Sequence, residues 1–286
     1  MTAVVALIVT YNAEEQIGTC LEALSALDLA EIRVLDNASS DSTVATVERM
    51  ASESDRVGPP VRCVTSPVNR GFGAGVNLAA AGVDAEALLL VNPDCVLPPE
   101  TFERMIAYLI SHPEVSAVGP GMTDSVGSRQ ISGGHRPTLL KETLAFLHLD
   151  ALVSTRLRRT IGSIAARRRN HGTLMSYLAS LADAGPVPLE WLSGFCLLIR
   201  ASAWASAGGF DPSFFMYYED VDLCLRLQRL GGAVVCLTDV TAVHLGSASA
   251  EKVGKSRLLI GGMTSYFEKH GSSLERRLAR VLSRAA

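Results

Sequence analysis

The sequence predicts an α/β fold, with a central, mostly parallel mixed sheet flanked by helices. Two observations carry this. Over the first 120 residues, short apolar runs alternate with helical patterns, as in a sheet crossed by helices. Three of the apolar runs end in polar clusters, Thr10-Tyr11-Asn12, Asp36 to Asp41 and Asn92-Pro93-Asp94, and ligands of such sheets bind beyond the carboxyl ends of the strands.

The elements follow in order. Ala3 to Val9 is apolar, with no basic residue before it and no small-residue cleavage site after it, so it reads as a first strand and not a signal peptide. Helical patterns at 14–27, 42–51, 73–81 and 99–111 are interleaved with strand patterns at 32–36, 61–65, 87–91 and 115–119. From 121 to 190 the pattern loosens into Gly, Ser and Pro followed by basic helical stretches. Strand signals return at 194–199 and 233–237. Between them Leu223, Leu227 and Leu230, followed by Gly231, define a helix. Residues 252–284 read as helix of mixed charge. The expected organisation is one domain over 1–250, in halves 1–120 and 121–250, with a helical extension at 251–286.

With 286 residues the chain is long enough for a full core, and 48% hydrophobic against 19% charged residues excludes a disordered composition. A net charge of -3 supplies no field for nucleic acid. Six cysteines stand singly, without a C-x-x-C pair, which favours reduced thiols in a cytoplasmic protein. No apolar run approaches the roughly 18 residues of a membrane span, so any membrane contact is expected to be peripheral. The basic stretch 151–182 holds six arginines, among them Arg167, Arg168 and Arg169, and no acidic residue or lysine. Such a run is a solvated helix face or an attractor of anionic lipid and diphosphate groups.

The motifs read two ways when taken singly. Ser40 and Asp41 suit helix capping, whereas Asp36, ending a strand, could accept the imide N–H of a pyrimidine base. Asn69-Arg70-Gly71-Phe72-Gly73-Ala74-Gly75-Val76-Asn77 lets backbone approach a phosphate or a packed helix, and its G-x-G-x-G spacing is not the dinucleotide fingerprint. Asn92-Pro93-Asp94 is turn chemistry, or it places a carboxylate for Mg2+ or Mn2+. Glu219, Asp220 and Asp222 follow the aromatic run Phe214 to Tyr218 at a helix start. The dipole favours acids there, and aromatic walls could poise one of them as a base. His244 after Val240–Val243 is a packed residue or a metal and phosphate contact.

In this order V-T-Y-N (9–12), D-N-A-S-S-D (36–41), N-R-G-F-G-A-G-V-N (69–77), N-P-D (92–94), W-L-S-G (191–194), G-G-F-D (208–211), F-M-Y-Y-E-D-V-D-L-C-L-R (215–226) and H-L-G-S (244–247) resemble the inverting glycosyltransferases of family 2, with the GT-A, Rossmann-like fold. The similarity is greatest to the bacterial rhamnosyltransferase-like branch. It covers roughly 3–247 and implies a nucleotide-sugar half at 1–120 and an acceptor half at 121–250.

By this resemblance Thr10, Tyr11, Asn12, Glu14, Asp36, Asn37, Ser39, Asn69, Gly71, Asn77 and Asn92 bind the nucleotide sugar. Asp94 matches the second acid of the metal-binding D-x-D, whose first acid is here Asn92. His244 assists the metal and diphosphate, and Asp220 matches the catalytic base. Trp191, Ser193, Gly194 and Glu219 face the acceptor. The implied cofactor is Mg2+ or Mn2+. The implied donor is dTDP-L-rhamnose, with UDP-galactofuranose or UDP-N-acetylglucosamine as alternatives. The implied acceptor is a glycan or polyprenyl-diphosphate-linked sugar in cell-wall or surface polysaccharide synthesis, met at the inner face of the cytoplasmic membrane through 151–182. An inactive nucleotide-sugar-binding module and an NAD-dependent oxidoreductase are the alternatives from other classes. The presence of both Asp94 and Asp220 opposes the first, and the glycine spacing opposes the second.

Overall fold

The computed structural model describes residues 3–54, 58–139, 142, 185–246 and 252–285. The basic stretch 151–182 lies outside them. Strands β1 (Val4–Thr10), β2 (Glu31–Asp36), β3 (Val61–Thr65) and β4 (Ala87–Val91) alternate with helices α1 (Ile17–Ser25), α2 (Thr43–Ser54) and α3 (Phe72–Ala80). After β5 (Cys95–Val96) come α4 (Pro99–Ser111), β6 (Val115–Asp124), β7 (Arg129–Gln130) and β8 (Gly133–Gly134). The chain continues through β9 (Pro186–Pro188), β10 (Trp191–Leu192), β11 (Cys196–Arg200), α5 (Ala201–Ala207), α6 (Glu219–Arg229), β12 (Ala233–His244), α7 (Lys252–His270) and α8 (Ser273–Ala285).

The main sheet runs β3-β2-β1-β4-β11-β6-β12-β5. Pairings among β1 to β4 and between β6 and β12 are parallel, while β11 runs antiparallel between β4 and β6. Successive strands step from β1 outward to β3, and then β4 returns to the other flank of β1. That reversal opens a crevice at the carboxyl ends of β1 and β4, where a sheet of this kind takes its ligand.

β1 and β4 are buried along their whole length because successive side chains point to opposite faces and both faces are covered. Val4, Ala6 and Ile8 of β1 pack with α1, α2 and α4 on one face, and Val5, Leu7 and Val9 pack with α3, α5 and α6 on the other. Each such side chain, fully buried, contributes about 1.5–3 kcal/mol. Helix α6 is buried on two sides. Leu223, Cys224 and Leu227 meet the sheet, while Val221 and Leu225 join Phe214, Tyr218, Met263, Tyr266, Phe267 and Ala279 in a further cluster with α7 and α8.

The stretch 252–284, expected as one helix, is two. Gly271 follows α7, and Ser272 caps α8, its backbone N–H and hydroxyl each 2.9 Å from the Glu275 carboxylate while the Glu275 N–H returns to the Ser272 hydroxyl. This reciprocal capping box fixes where α8 begins. All six cysteines are free, and burial pushes the thiols of Cys63 up to about 11 and of Cys224 and Cys236 up to about 12. No helix among the described residues is long and apolar enough to cross a membrane.

Candidate active site

At the end of β1 and β2, Asp36 is 2% exposed and accepts three hydrogen bonds: from the Thr10 hydroxyl at 3.0 Å, the Ser39 backbone at 2.9 Å and the Ser39 hydroxyl at 2.5 Å. A carboxylate offers about four acceptor positions, so one remains. Asn12, at φ 51°, fixes the same loop from the other side, its side chain accepting from the Ser40 N–H and its N–H donating to the Ser39 hydroxyl. Glu14 accepts from the Ser42 N–H at 2.9 Å. Tyr11, in contrast, stands 49% exposed over this pocket rim.

Asn37 donates to the Asn69 side chain and the Gly71 carbonyl and accepts from the Arg70 N–H, holding the glycine-rich loop against β2. The Asn69 side chain also caps the Gly71 N–H. Gly71 has φ 83°, and a Cβ there would collide with the Phe215 carbonyl, which accepts from the Phe72 N–H at 2.9 Å. The glycine-rich loop is thus pressed onto the turn that precedes α6. Asn77 lies further along, where its side-chain amide is paired at both ends with the backbone of Phe210, at 2.8 Å each way.

At the end of β4, the Asn92 backbone donates to the Phe195 carbonyl, and Asp94 is 5% exposed. Asp94 Oδ2 is 3.0 Å from His244 Nε2, whereas its buried Oδ1 has no hydrogen-bond partner. A register shift in β12 between Leu237 and Thr241 carries His244 to lie opposite Cys95, beside Asp94. Gln130 Oε1 holds His244 Nδ1 at 2.9 Å, and the Phe195 ring meets the imidazole edge-on at 5.0 Å. The orphaned Oδ1 fits a hard cation, which takes one or two protein carboxylates and completes its shell with phosphate and water. Among the described residues no group of three or more His, Cys, Asp or Glu forms a metal cluster, so such an ion would depend on the substrate diphosphate for much of its shell.

The three acids opening α6 have separate fates. Asp222 is fully buried, 2.8 Å from Arg226, 2.8 Å from Lys269 and 2.7 Å from His270. Although burial opposes ionisation, these partners hold its carboxyl down to about 2. Glu219 is 6% exposed, its Oε2 is unpartnered, and burial together with neighbouring Asp220 pushes it up to about 8. Asp220 remains partly open to solvent, with Oδ2 accepting from the Gly194 N–H at 3.1 Å and Oδ1 from the Val221 N–H at 2.8 Å. Burial raises its pKa, and the two backbone donors counter that.

Gly194 sits in the turn between β10 and β11, with Ser193 bonded to the Ser132 carbonyl and Trp191 donating to the His135 carbonyl at 2.9 Å. Because Gly194 orients Asp220 while adjacent Phe195 touches both Asn92 and His244, this turn joins the Asp220 side to the Asp94 side. Phe72, from the glycine-rich loop, would lie 3.2 Å from a Cβ at Gly194. The structure therefore brings the three strand-end clusters and the start of α6, with Asp220, to one side of the sheet, while Asp222 points away into its own cluster with Arg226, Lys269 and His270. Residues that the sequence reading passed over are Gln130, Phe195 and Lys269. Gln130 sits in a two-residue strand too short to show a period, and Phe195 reads as an ordinary apolar residue of the 194–199 strand pattern. Lys269 reads as an ordinary basic residue at a helix end, where the dipole favours it.

A family model described as Glycosyl transferase family 2 matches residues 5–172. An N-acetylglucosaminyl-diphospho-decaprenol L-rhamnosyltransferase of Mycobacterium tuberculosis is 28% identical over 272 residues, covering 90% of this chain and 81% of the relative. Among solved structures, the mannosyltransferase PcManGT of Pyrobaculum calidifontis, in complex with GDP-Man and Mn2+, superposes with a TM-score of 0.60 at 16% identity over 99% of this chain and 69% of that one. S. aureus TarS 1-349 in complex with UDP-GlcNAc gives 0.57 at 16% identity over 97% and 79%. The structural likenesses bear on the fold, and the family match spans more than half of the chain. The chain therefore belongs to glycosyl transferase family 2, a hexosyltransferase built on the GT-A fold.

Proposed function

We propose that this enzyme transfers L-rhamnose from dTDP-L-rhamnose to a hydroxyl of a polyprenyl-diphosphate-linked sugar, inverting the anomeric carbon, in cell-wall or surface polysaccharide synthesis. The mycobacterial relative supports the choice of donor and acceptor. The observation that carries the chemistry is the pairing across one turn of a solvent-reachable carboxylate held by backbone N–H groups, Asp220, with a buried carboxylate whose Oδ1 lacks a partner, Asp94.

On this reading the last acceptor position of Asp36 takes the imide N–H of the thymine, Tyr11 covers the base, and Thr10, Asn12, Glu14, Ser39, Asn37, Asn69 and Gly71 keep the pocket in shape. Asn77 acts through the Phe210 turn it holds. Asp94 and His244 would hold Mg2+ or Mn2+, with Asn92 beside them on the donor. Such an ion, when bound, neutralises charge developing on the leaving diphosphate. Trp191, Ser193, Gly194 and Glu219 face the acceptor. Asp220 takes the proton of the acceptor hydroxyl as that oxygen bonds to the anomeric carbon and the bond to the diphosphate breaks. Burial and the neighbouring Asp220 favour the protonated form of Glu219, while the Gly194 and Val221 N–H donors favour the charged form of Asp220. We assign 1–250 to one catalytic domain, donor half 1–120 and acceptor half 121–250, with 251–286 as its extension. The basic stretch 151–182 is assigned to the cytoplasmic face of the membrane.

The test is a thermal-shift panel of the purified protein with dTDP-rhamnose, UDP-sugars, GDP-sugars and NAD, each with and without Mn2+ or Mg2+. A ligand at 100 times its Kd stabilises by about 2.7 kcal/mol, several degrees for a chain of this size. A metal-dependent shift with dTDP-rhamnose alone supports the assignment. A shift confined to another nucleotide sugar replaces the donor, and a shift with NAD alone overturns the transfer reading.

A further inference from the structure

Helix α8 carries its apolar residues on the wrong side for a buried helix. Ala279 is fully buried in the cluster with Met263, Tyr266 and Phe267 of α7, so the face through Ala279 is the one that packs. Leu274, Leu278 and Val281 fall at i, i+4 and i+7 and form a separate stripe, 65%, 43% and 57% exposed. At about 100° per residue the centre of this stripe lies more than a right angle from Ala279. Among the described residues nothing covers it.

The rest of α8 is basic. Its thirteen residues hold four arginines against one glutamate, in a chain whose net charge is -3. Glu275 is occupied by the Ser272 cap, and Arg280 pairs with Glu268 at 2.9 Å. Arg276 and Arg277 are exposed, and Arg277 lies one turn from both Leu274 and Val281, bordering the stripe. Exposed apolar side chains edged by Arg277, on a helix about 20 Å long, match the chemistry of a helix lying in a bilayer interface, where the stripe enters the acyl boundary and the guanidinium reaches lipid phosphates.

We propose that α8 is a docking surface for an anionic lipid bilayer. The capping box and the α7 contact hold α8 in place before any membrane is met, so docking requires no folding of the helix. Helix α7 joins α8 to α6, and with neighbouring helix axes 8–10 Å apart the bilayer surface comes to lie roughly 20 Å from the α6 axis. The inference concerns a surface separate from 151–182, and it is read without any transfer reaction, so its failure and failure of the donor assignment are distinguishable.

The experiment is co-sedimentation of the full chain with vesicles of phosphatidylcholine alone and of equal phosphatidylcholine and phosphatidylglycerol. The wild-type protein is compared with Leu274→Ser/Leu278→Ser, Arg276→Gln/Arg277→Gln and Arg167→Gln/Arg168→Gln/Arg169→Gln. The expected result is binding to the anionic vesicles only, reduced at least tenfold in each α8 variant, with circular dichroism and thermal midpoint retained. Wild-type protein that stays in the supernatant overturns the proposal. So does loss of binding in the 167–169 variant alone, which gives the membrane to that segment. A self-association that the α8 serines abolish while vesicle binding persists also overturns it, making the stripe an interface between copies of this chain.

Discussion

Lys269 of α7 lies 2.8 Å from Asp222 of α6, and the same ammonium is 2.6 Å from Asp211. One side chain from the C-terminal helices thus joins the G-G-F-D turn to the helix that opens with Asp220. His270 adds a second tie. Its Nδ1 faces the guanidinium of Arg229 at 3.0 Å, which can only donate, so Nε2 carries the proton and donates to Asp222. The Tyr217–Tyr218 turn between these anchors needs such support, because both residues have positive φ, 69° and 68°. Each such backbone costs of order 1–3 kcal/mol unless its surroundings impose it.

Lys269→Met is expected to destabilise the protein by about 1.5–3 kcal/mol, the range for hydrogen bonds to charged groups. It is also expected to lower kcat with little change in donor Kd. Restoration of kcat by Lys269→Arg separates a positioning role from general loss of stability. Calorimetry of donor binding beside steady-state turnover checks both.

Asp220→Asn should lower turnover by about 10²–10⁴-fold, the range for a general base, and leave donor affinity within a factor of two or so. Equal losses of donor binding and turnover would move the base elsewhere. Since burial raises the Asp220 pKa, the acidic limb of the rate profile is expected above the ordinary carboxylate value of 3.8, with activity rising as pH rises through it.

Glu219 predicts a pH dependence of stability. Its carboxyl goes from an ordinary 4.5 to about 8 on folding, so between those values the native chain binds more protons than the unfolded one. Its contribution is complete below pH 4.5 and is lost as pH rises through about 8. Glu219→Gln should therefore be indistinguishable from wild type at pH 4 and more stable at pH 9, by on the order of a few kcal/mol. Thermal midpoints across that range decide it, and parallel curves would mean that Glu219 has a partner.

Asp94→Asn should abolish the metal-dependent part of donor binding, so that Kd with Mn2+ equals Kd in EDTA. His244→Ala should weaken metal affinity less. Titrations unchanged by both substitutions would place the ion on other groups.

The first half of the fold was legible because β1, β2 and β4 are largely buried apolar runs and amphipathic helices separate the strands, so the pattern marks β1 to β4. The antiparallel β11 was legible as a strand but not in its direction, which depends on the chain that leads into it. Asp36, Asp94 and Asp220 stand out in the sequence because a carboxylate at a strand or helix end is chemically conspicuous, and the structure shows what each one touches. The pairing of the Asn77 amide with the Phe210 backbone, 133 residues away, was not legible, because only the tertiary structure brings the two together. Lys269 and Gln130 were illegible for the same reason. Their meaning lies wholly in partners that no local pattern announces.

The distances along the chain at which these contacts close also order events in time. Asp36 meets Ser39 three residues on and Thr10 26 residues back, so the loop around Asp36 can close early in synthesis. Asp222 must wait for His270, 48 residues downstream, before the twin tyrosine turn is held. Since chains fold from the N-terminus as they emerge, at about 5–20 residues per second, a nascent chain can shape the Asp36 loop seconds before it can fix the turn that precedes Asp220. Transfer competence then arrives last, with the final helices.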